Sequence, residues 1–283
     1  MDIPSTHANG ASASIVLDAA NPRHLAWATE DLLGGLRRWR LASALAWLDI
    51  RNRYRGSVLG PFWLSLSTAV MLLGIGVLYS VLLRTDIGAY LPYLAVSLIC
   101  WNMLAQTVTD ACGALTGSEA IIRQVRLPFT VHIMRCVLRN AIVAAHNLPL
   151  IAIVLLIFRV TPGWSILLLP LGLGLLALNA FAASMFLGMI CARFRDVAQI
   201  VASVIQIFFF LSPILWKPET LREYAWTVML NPFYLLMETV RAPLIEDGGS
   251  PAIWALAIAV TAASVLASFA FFVRFRSRIA FWV

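Results

Sequence analysis

The sequence is poor in charged residues. Only 12% of its 283 residues are Asp, Glu, Lys or Arg, whereas soluble domains usually carry about 25%. Hydrophobic residues make up 61% of the chain, and the mean hydropathy is +0.84. So little polar surface does not cover a soluble domain of this size. The composition therefore predicts an all-α integral membrane protein.

Motifs for catalysis and for metal or nucleotide binding are also missing. The sequence has no GxxxxGK(S/T) loop to hold phosphates, no HExxH motif and no paired acids at the edge of an apolar run. We therefore expect no catalytic residue, no metal site and no cofactor bound by this chain. The cysteines are widely spaced in or beside apolar runs, which indicates small buried side chains and no disulfide framework: Cys100, Cys112, Cys136 and Cys191.

The first 60 residues divide into two parts. Residues 1–30 are polar and lack the apolar core and cleavage site of a signal peptide, so we predict a flexible cytosolic tail. Residues 31–60 mix leucines with arginines and with Trp39 and Trp47, which is typical of an amphipathic helix in the headgroup plane. An ordinary soluble helix is the alternative. Residues 61–283 are the transmembrane domain, whose first apolar run serves as an uncleaved signal-anchor.

Six apolar runs are long enough to cross about 30 Å of hydrocarbon at about 1.5 Å per residue. An even number of crossings puts both termini on one side. That side carries 16 of the 21 Lys and Arg residues, so the positive-inside rule makes it the cytosol. The arginines that give the chain its net charge of +7 lie beside apolar runs. This placement suits binding to anionic lipid headgroups better than binding to nucleic acid. The predicted spans are residues 61–83, 91–109, 137–158, 165–190, 197–216 and 252–273.

The cytosolic segment TGSEAIIRQVRLPF, between the second and third spans, predicts a short helix. Thr116 and Glu119 fit a capping box, and Glu119 precedes Arg123 by four residues. Glu119, Arg123 and Arg126 would share one face of this helix as a charged handle. A solvated connector is the alternative. The turn RFRD at residues 193–196 offers a second charged contact on the same side.

The loop at residues 217–250 is unlike the others. It holds two apolar pieces, residues 224–230 and 233–244, interrupted by prolines and each too short to cross the bilayer. This profile is typical of re-entrant helices, which are tolerated at membrane depth only when packed against protein. Glu238 and Arg241, three residues apart, would then neutralise one another. A plain extracellular loop is the alternative.

Taken in order, these parts resemble the membrane subunit of polysaccharide ABC exporters, of the O-antigen, capsule or teichoic-acid type. The resemblance rests on RYRGSVLGPFW, RLPF, RFRD, NPFYLLMETVRAPL and RFRSRIAFWV, and it covers about residues 31–283. It implies a bacterial inner-membrane homodimer with cytosolic termini, working with a dimer of ABC ATPase subunits that bind ATP and Mg. It also implies a polyprenyl-diphosphate-linked glycan as the cargo.

The resemblance assigns roles to individual residues. The ATPase-coupling residues would be Glu119, Arg123, Arg126, Arg195 and Asp196. Residues 31–52 would form the interface helix at the cytosolic gate, residues 224–230 and 233–244 the re-entrant helices. The cytosolic-gate residues, at the end of the interface helix, would be Arg51, Arg53, Tyr54 and Arg55.

A stripe of basic residues supplies a further hypothesis. His132, Arg135, Arg139 and His146 fall on one helix face that runs into the third span. Because arginine is well shaped to grip a diphosphate, we predict that Arg135 and Arg139, beside His132, bind the diphosphate of the lipid-linked glycan. The alternatives are snorkelling to headgroups or a pair with Asp110. Aromatic rings stack on sugars, so the predicted pore-lining aromatics are Trp101, Trp216 and Tyr234.

The sequence also leaves other functional classes of membrane protein open. A small-molecule or drug exporter of the same ABC class is the nearest rival. A membrane-embedded glycan transferase would need convergent carboxylates or a metal cluster, which the sequence lacks. A secondary transporter or channel would carry charges and helix breaks near the midplane of its spans, whereas here they lie at the edges.

Overall fold

The computed structural model describes residues 24–57, 60 and 62–283, and within these ranges the chain is helical and without a β-strand. The helices are joined by turns and by 3₁₀ segments at Thr116–Ser118, Trp164–Leu168, Pro218–Leu230 and Arg276–Arg278. The α-helices are α1 (His24–Arg37), α2 (Trp39–Arg53), α3 (Phe62–Leu83), α4 (Ile87–Cys112), α5 (Glu119–Gln124), α6 (Phe129–Ile157), α7 (Leu169–Arg193), α8 (Val197–Leu211), α9 (Pro232–Ile245), α10 (Pro251–Phe275) and α11 (Ile279–Trp282).

Five helices among the described residues are long and apolar enough to cross a membrane: α3, α4, α6, α7 and α10. They match five of the six predicted runs. The remaining run, residues 197–216, contains α8, which is apolar but has only 15 residues. At about 1.5 Å per residue it is roughly 22 Å long, short of a 30 Å hydrocarbon core. The five longer spans make the chain a multi-pass membrane protein.

Helix α4 is the centre of the bundle, because it packs against α3, α6, α7, α8 and α9. Its residues from Tyr90 to Trp101 are all buried. Asp86 caps its N-terminus by accepting a hydrogen bond from the Ala89 amide at 3.1 Å. By contrast, α3 exposes large apolar side chains along its length, as expected for a helix that faces hydrocarbon.

Two helices, and not one, precede the first span. Helix α1 begins at His24, inside the predicted tail, and the chain breaks at Arg38 before α2. Both pack on α6 through small residues such as Gly35, where an added Cβ would lie 2.4 Å from Thr130 Cβ. Their large apolar side chains, including Trp39 and Trp47, stay exposed. Residues 1–23 lie outside the described residues.

The predicted capping box is wrong. Thr116 begins a 3₁₀ turn, so Ser118 becomes the N-cap of α5, without a side-chain cap hydrogen bond. Helix α5 ends at Gln124 because the chain turns extended toward Pro128. Arg126 therefore lies beyond the helix and does not share its face.

The two apolar pieces of the 217–250 loop take different forms. The first lies in the 3₁₀ segment Pro218–Leu230 and exposes Tyr224, Trp226 and Leu230. The second is α9, buried continuously from Tyr234 to Leu244 and packed against α4, α7 and α10. Pro243 was predicted to interrupt it but lies within its last turn. The packing of α9 is that of a helix inserted into protein, not of a plain loop.

Candidate coupling surface and charged clusters

Two of the residues predicted for coupling lie around one shallow pocket. The pocket has a volume of about 550 Å³ and is lined by Glu119, by Arg195 and by the C-terminal ends of α4 and α7. Glu119 pairs with Arg123 at 2.7 Å, as the sequence predicts, and both side chains are substantially exposed. Asp196 is exposed beside Arg195. Charged groups from α5 and from the turn after α7 thus share one open surface.

The end of the chain fixes α5 in place. Arg123 donates a hydrogen bond to the main-chain oxygen of Val283 at 2.8 Å. The Arg193 guanidinium lies 5.7 Å from the ring centre of Trp282 on α11. Ile122 of α5 packs against a buried cluster that includes Leu115 and Ile279. The candidate coupling surface therefore rests on a packed base and is not a free loop.

Arg135 and Arg139 lie in a ladder of alternating charge. Arg135 binds both oxygens of Asp49, with Nε at 2.7 Å from Oδ2. Arg139 reaches the same Asp49 at 3.4 Å and Asp110 at 3.0 Å. All four side chains are only 12% to 22% exposed. The ion pair between Arg139 and Asp110, which the sequence left open as an alternative, is therefore present. The ladder ties α2 to α6 and α4.

Asp31 forms a second buried junction. Its carboxylate accepts hydrogen bonds from the amides of Phe129 and Thr130 at 3.2 and 3.0 Å and from the Thr130 hydroxyl at 2.9 Å. It also pairs with Arg276 at 2.9 Å. A residue of α1 thereby caps the N-terminus of α6, whose own N-cap, Pro128, makes no side-chain cap hydrogen bond.

A third cluster surrounds Arg241, which is 1% exposed. Its guanidinium pairs with Glu238, as predicted, and donates to the Tyr93 hydroxyl at 2.7 Å, the Ser97 hydroxyl at 3.1 Å and the Pro213 carbonyl at 2.9 Å. The ring of Tyr93 lies 4.5 Å from the guanidinium carbon. This cluster joins α9 to α4 and to the segment after α8.

The other predicted site residues do not gather at one place. His132 is 1% exposed, and neither ring nitrogen has a hydrogen-bond partner within the described residues. Trp101 is buried and packs edge-on against Phe209 and Phe233, and Tyr234 is also buried. Trp216 is half-buried. The gate residues at the end of α2 are exposed except for half-buried Tyr54: Arg51, Arg53, Tyr54 and Arg55.

The sequence did not point to the roles of Asp31 and Asp49 or to the contact between Tyr93 and Arg241. Both acids sit in the amphipathic segment, where a charge is read by default as part of a solvated face. Asp49 lies 86 residues from its partner Arg135, and Asp31 lies 99 residues from its partner Thr130. No local spacing points to partners so far away. The signal that was available is an acid on the same helix as several arginines, opposite a basic stripe on a later span.

Comparison with known proteins adds the family context. Residues 40–245 match the ABC-2 type transporter family. The chain is 28% identical over 209 residues to the O-antigen export system permease protein RfbA of Myxococcus xanthus, covering 73% of this chain and 80% of that protein. Two proteins of the same name from Klebsiella pneumoniae are 23% and 22% identical over 189 residues, covering 65% of this chain and 72% of each of them.

Proposed function

This chain belongs to the ABC-2 type transporter family, and on that basis we propose that it is the transmembrane subunit of an ATP-driven exporter of polysaccharide. The observation that carries the proposal is the match over residues 40–245 together with similarity to three permeases named for O-antigen export. As a family member the chain is the membrane part of a transporter and not itself an enzyme. Its cargo is an O-antigen-like or capsule-like polymer, moved outward across the bacterial inner membrane while linked to a lipid.

The energy comes from a separate ABC ATPase subunit, which binds the ATP and Mg. Its docking site is the open surface that carries Glu119, Arg123 and Arg195, with Arg126 and Asp196 beside it. Closure of two ATPase subunits on ATP would move these surfaces together and rock the bundles. The packed base beneath α5 supports this role, because Ile122 of α5 packs against a buried cluster that holds side chains of α7 and α11.

The segment at residues 197–216 makes the sixth crossing, so that both termini are cytosolic. Ala198, at the start of α8, lines the same pocket as Cys112 at the C-terminus of α4. Beyond α8, the carbonyl of Leu215 accepts a hydrogen bond from the Tyr90 hydroxyl, near the N-terminus of α4. Helix α8 and the five residues after it therefore run the length of a 26-residue span, which compensates for the shortness of α8.

A second copy of this chain completes the pathway, and α8 faces it. Gln199, Ser203 and Gln206 are spaced four and three residues apart, so they form one stripe, and all three are exposed. Amide side chains at membrane depth are costly in lipid and face the interior of an assembly or water instead. The stripes of two copies would line a hydrated pore. The aromatics Trp101, Trp216 and Tyr234 support the walls around it.

In this proposal, Arg135 and Arg139, beside His132, bind the diphosphate of the cargo. Because Asp49 already occupies Arg135 with the two-pronged geometry that a phosphate would use, binding requires Asp49 to be displaced. The exposed gate residues Arg51, Arg53 and Arg55 then offer the first contact for the headgroup on the cytosolic side.

The test is to delete the gene and locate the surface polysaccharide. We expect full-length lipid-linked polymer to accumulate on the cytoplasmic leaflet and the surface pool to vanish, because synthesis continues without export. Complementation with the wild-type gene is the control. A complete loss of polymer synthesis would favour a transferase, and an unchanged surface would favour a small-molecule exporter; either result would overturn the proposal.

A further inference from the structure

A large apolar cavity, open on one side, lies among the helices of the single chain. It has a volume of about 640 Å³ and is walled by α4, α6, α7, α9 and α10. Small side chains make the space, among them Ala141 and Ala144 of α6 and Ala177 and Ala180 of α7. Four of its five walls are helices long and apolar enough to span the membrane, and the fifth, α9, inserts into the bundle, so the cavity lies at the depth of the hydrocarbon.

Most polar side chains in the wall already have hydrogen-bond partners within the protein. Asn140 donates to the Cys136 carbonyl at 3.0 Å, and Thr107 donates to the Met103 carbonyl at 2.7 Å, each within its own helix. Asn179 donates to the Leu175 carbonyl and to the Thr261 hydroxyl at 2.7 Å. Because these donors are satisfied within the protein, little in the wall would hold water.

An apolar cavity of this size does not stay empty. Apolar cavities exclude water and bind apolar ligands, and one of about 150 Å³ already binds benzene. The present cavity has roughly four times that volume. It is therefore filled by hydrocarbon or by apolar side chains from outside the chain.

The mouth of the cavity identifies the source of that hydrocarbon. The large side chains at its exposed edge include Leu148 at 51%, Leu173 at 38% and Phe186 at 36%, and Ala267 of α10 is also exposed there. The three large side chains are apolar and lie on α6 and α7, whereas the exposed polar stripe that would face a second copy lies on α8. The exposed edge of the cavity is thus lined by apolar side chains, as is required of a face in contact with lipid tails.

We propose that this cavity is a binding site for one acyl chain of a bilayer phospholipid, held as a structural ligand between α6, α7 and α10. The acyl chain enters from the side, past Leu148 and Phe186, and buries its methylenes against alanine-rich walls. Each buried methylene adds to the affinity. The lipid headgroup stays outside with the bilayer, so no charged group of the protein is needed.

The experiment is to purify the full chain in mild detergent and to quantify retained lipid by mass spectrometry. Ala144→Phe and Ala180→Phe fill the cavity from two different helices, and Ala262→Phe is the matched control, since Ala262 is exposed on α10 but does not line the cavity. We expect wild type and the control to retain phospholipid and both filled variants to lose most of it. Added phospholipid should then raise the melting temperature of wild type and the control but not of the filled variants.

Three results would overturn the proposal. Equal retention in all four proteins would mean that the lipid sits elsewhere. Retention of an isoprenoid lipid in place of phospholipid would assign the site to a different source. Disulfide cross-linking between copies through Ala144→Cys would show that a second chain fills the space. If the Phe variants do not fold, Ala144→Val and Ala180→Val should still weaken retention, and unchanged retention in them would count against the site.

Discussion

Single carboxylates decide how the helices at one end of this molecule are joined. Asp31 caps a helix that begins 98 residues later in the chain, and Asp49 holds Arg135 and Arg139 together. Each acid lies on α1 or α2 and has partners on α6, so the two short helices are bound to the bundle by charge as well as by small-residue packing. Neither acid stands out in the sequence. Their roles arise only when α1 and α2 lie against α6.

Removing the Asp49 charge should destabilise the protein. In Asp49→Asn, the poorly solvated Arg135 keeps no full carboxylate partner, whereas Arg139 keeps Asp110. A hydrogen-bonded charge of this kind contributes about 1.5 to 3 kcal/mol, so the melting temperature should fall measurably. Thermal unfolding in detergent is the measurement.

The matched control for this change is Glu30→Gln, which neutralises an exposed acid on α1. Arg135→Gln combined with Asp49→Asn should cost less than the sum of the two single changes, because both break the same contact. Strict additivity, or an effect of Asp49→Asn no larger than that of the control, would show that the ladder does not stabilise the fold.

At the scale of elements, α5 and α9 differ in how much of each helix is buried. Helix α9 is buried over eleven consecutive residues and is held by Arg241 and by the Asn231 cap, whose side chain accepts from the Phe233 amide at 3.0 Å. Helix α5 has six residues and no buried residue of its own. An element with so few buried contacts contributes little to stability, which suits a surface that binds a partner.

Reversing the charge of α5 should therefore affect partner binding and not stability. The Glu119–Arg123 pair is exposed, and such pairs contribute about 0.3 to 0.5 kcal/mol or less. We expect Glu119→Lys to reduce co-purification of the ATPase subunit and export of the polymer while leaving the melting temperature unchanged. The Arg123 bond to Val283 stays intact in this variant.

The control for this experiment is Glu223→Lys, an exposed acid on the opposite predicted side of the membrane. It should leave both ATPase association and export unchanged. If Glu119→Lys also leaves them unchanged, α5 is a solvated connector and the coupling surface lies elsewhere.

At the scale of the whole molecule, one central helix organises the others. Helix α4 is buried on most sides, whereas α3, α6, α7 and α10 each present one face to the bundle and the rest to lipid. Exposed large apolar side chains occur along α3, α6, α7 and α10, whereas α8 carries the exposed stripe of Gln199, Ser203 and Gln206. In the proposed dimer, this asymmetry favours α8 as the face that meets the second copy.

A cysteine on that stripe should cross-link two copies. We expect Gln206→Cys to form a disulfide-linked dimer on mild oxidation in membranes, as measured by non-reducing electrophoresis. The native cysteines do not interfere, since all four are buried. Ala259→Cys, exposed on α10, should stay monomeric. The reverse pattern would place the shared interface at α10 and would remove the argument for a pore along α8.

The sequence alone determined the membrane class, five of the spans, the short charged helix, the Glu119–Arg123 and Glu238–Arg241 pairs and the resemblance to the exporter family. These features depend on composition, on apolar run length and on spacings of three or four residues, which are local properties of a chain. Helix ends were less well predicted, as the wrong capping box and the early start of α1 show. Only the tertiary structure decided that Asp49 binds Arg135, that α9 is buried against α4 and that small residues of α6 and α7 enclose a cavity. Those outcomes depend on which faces meet across tens of residues, and no local pattern encodes that choice.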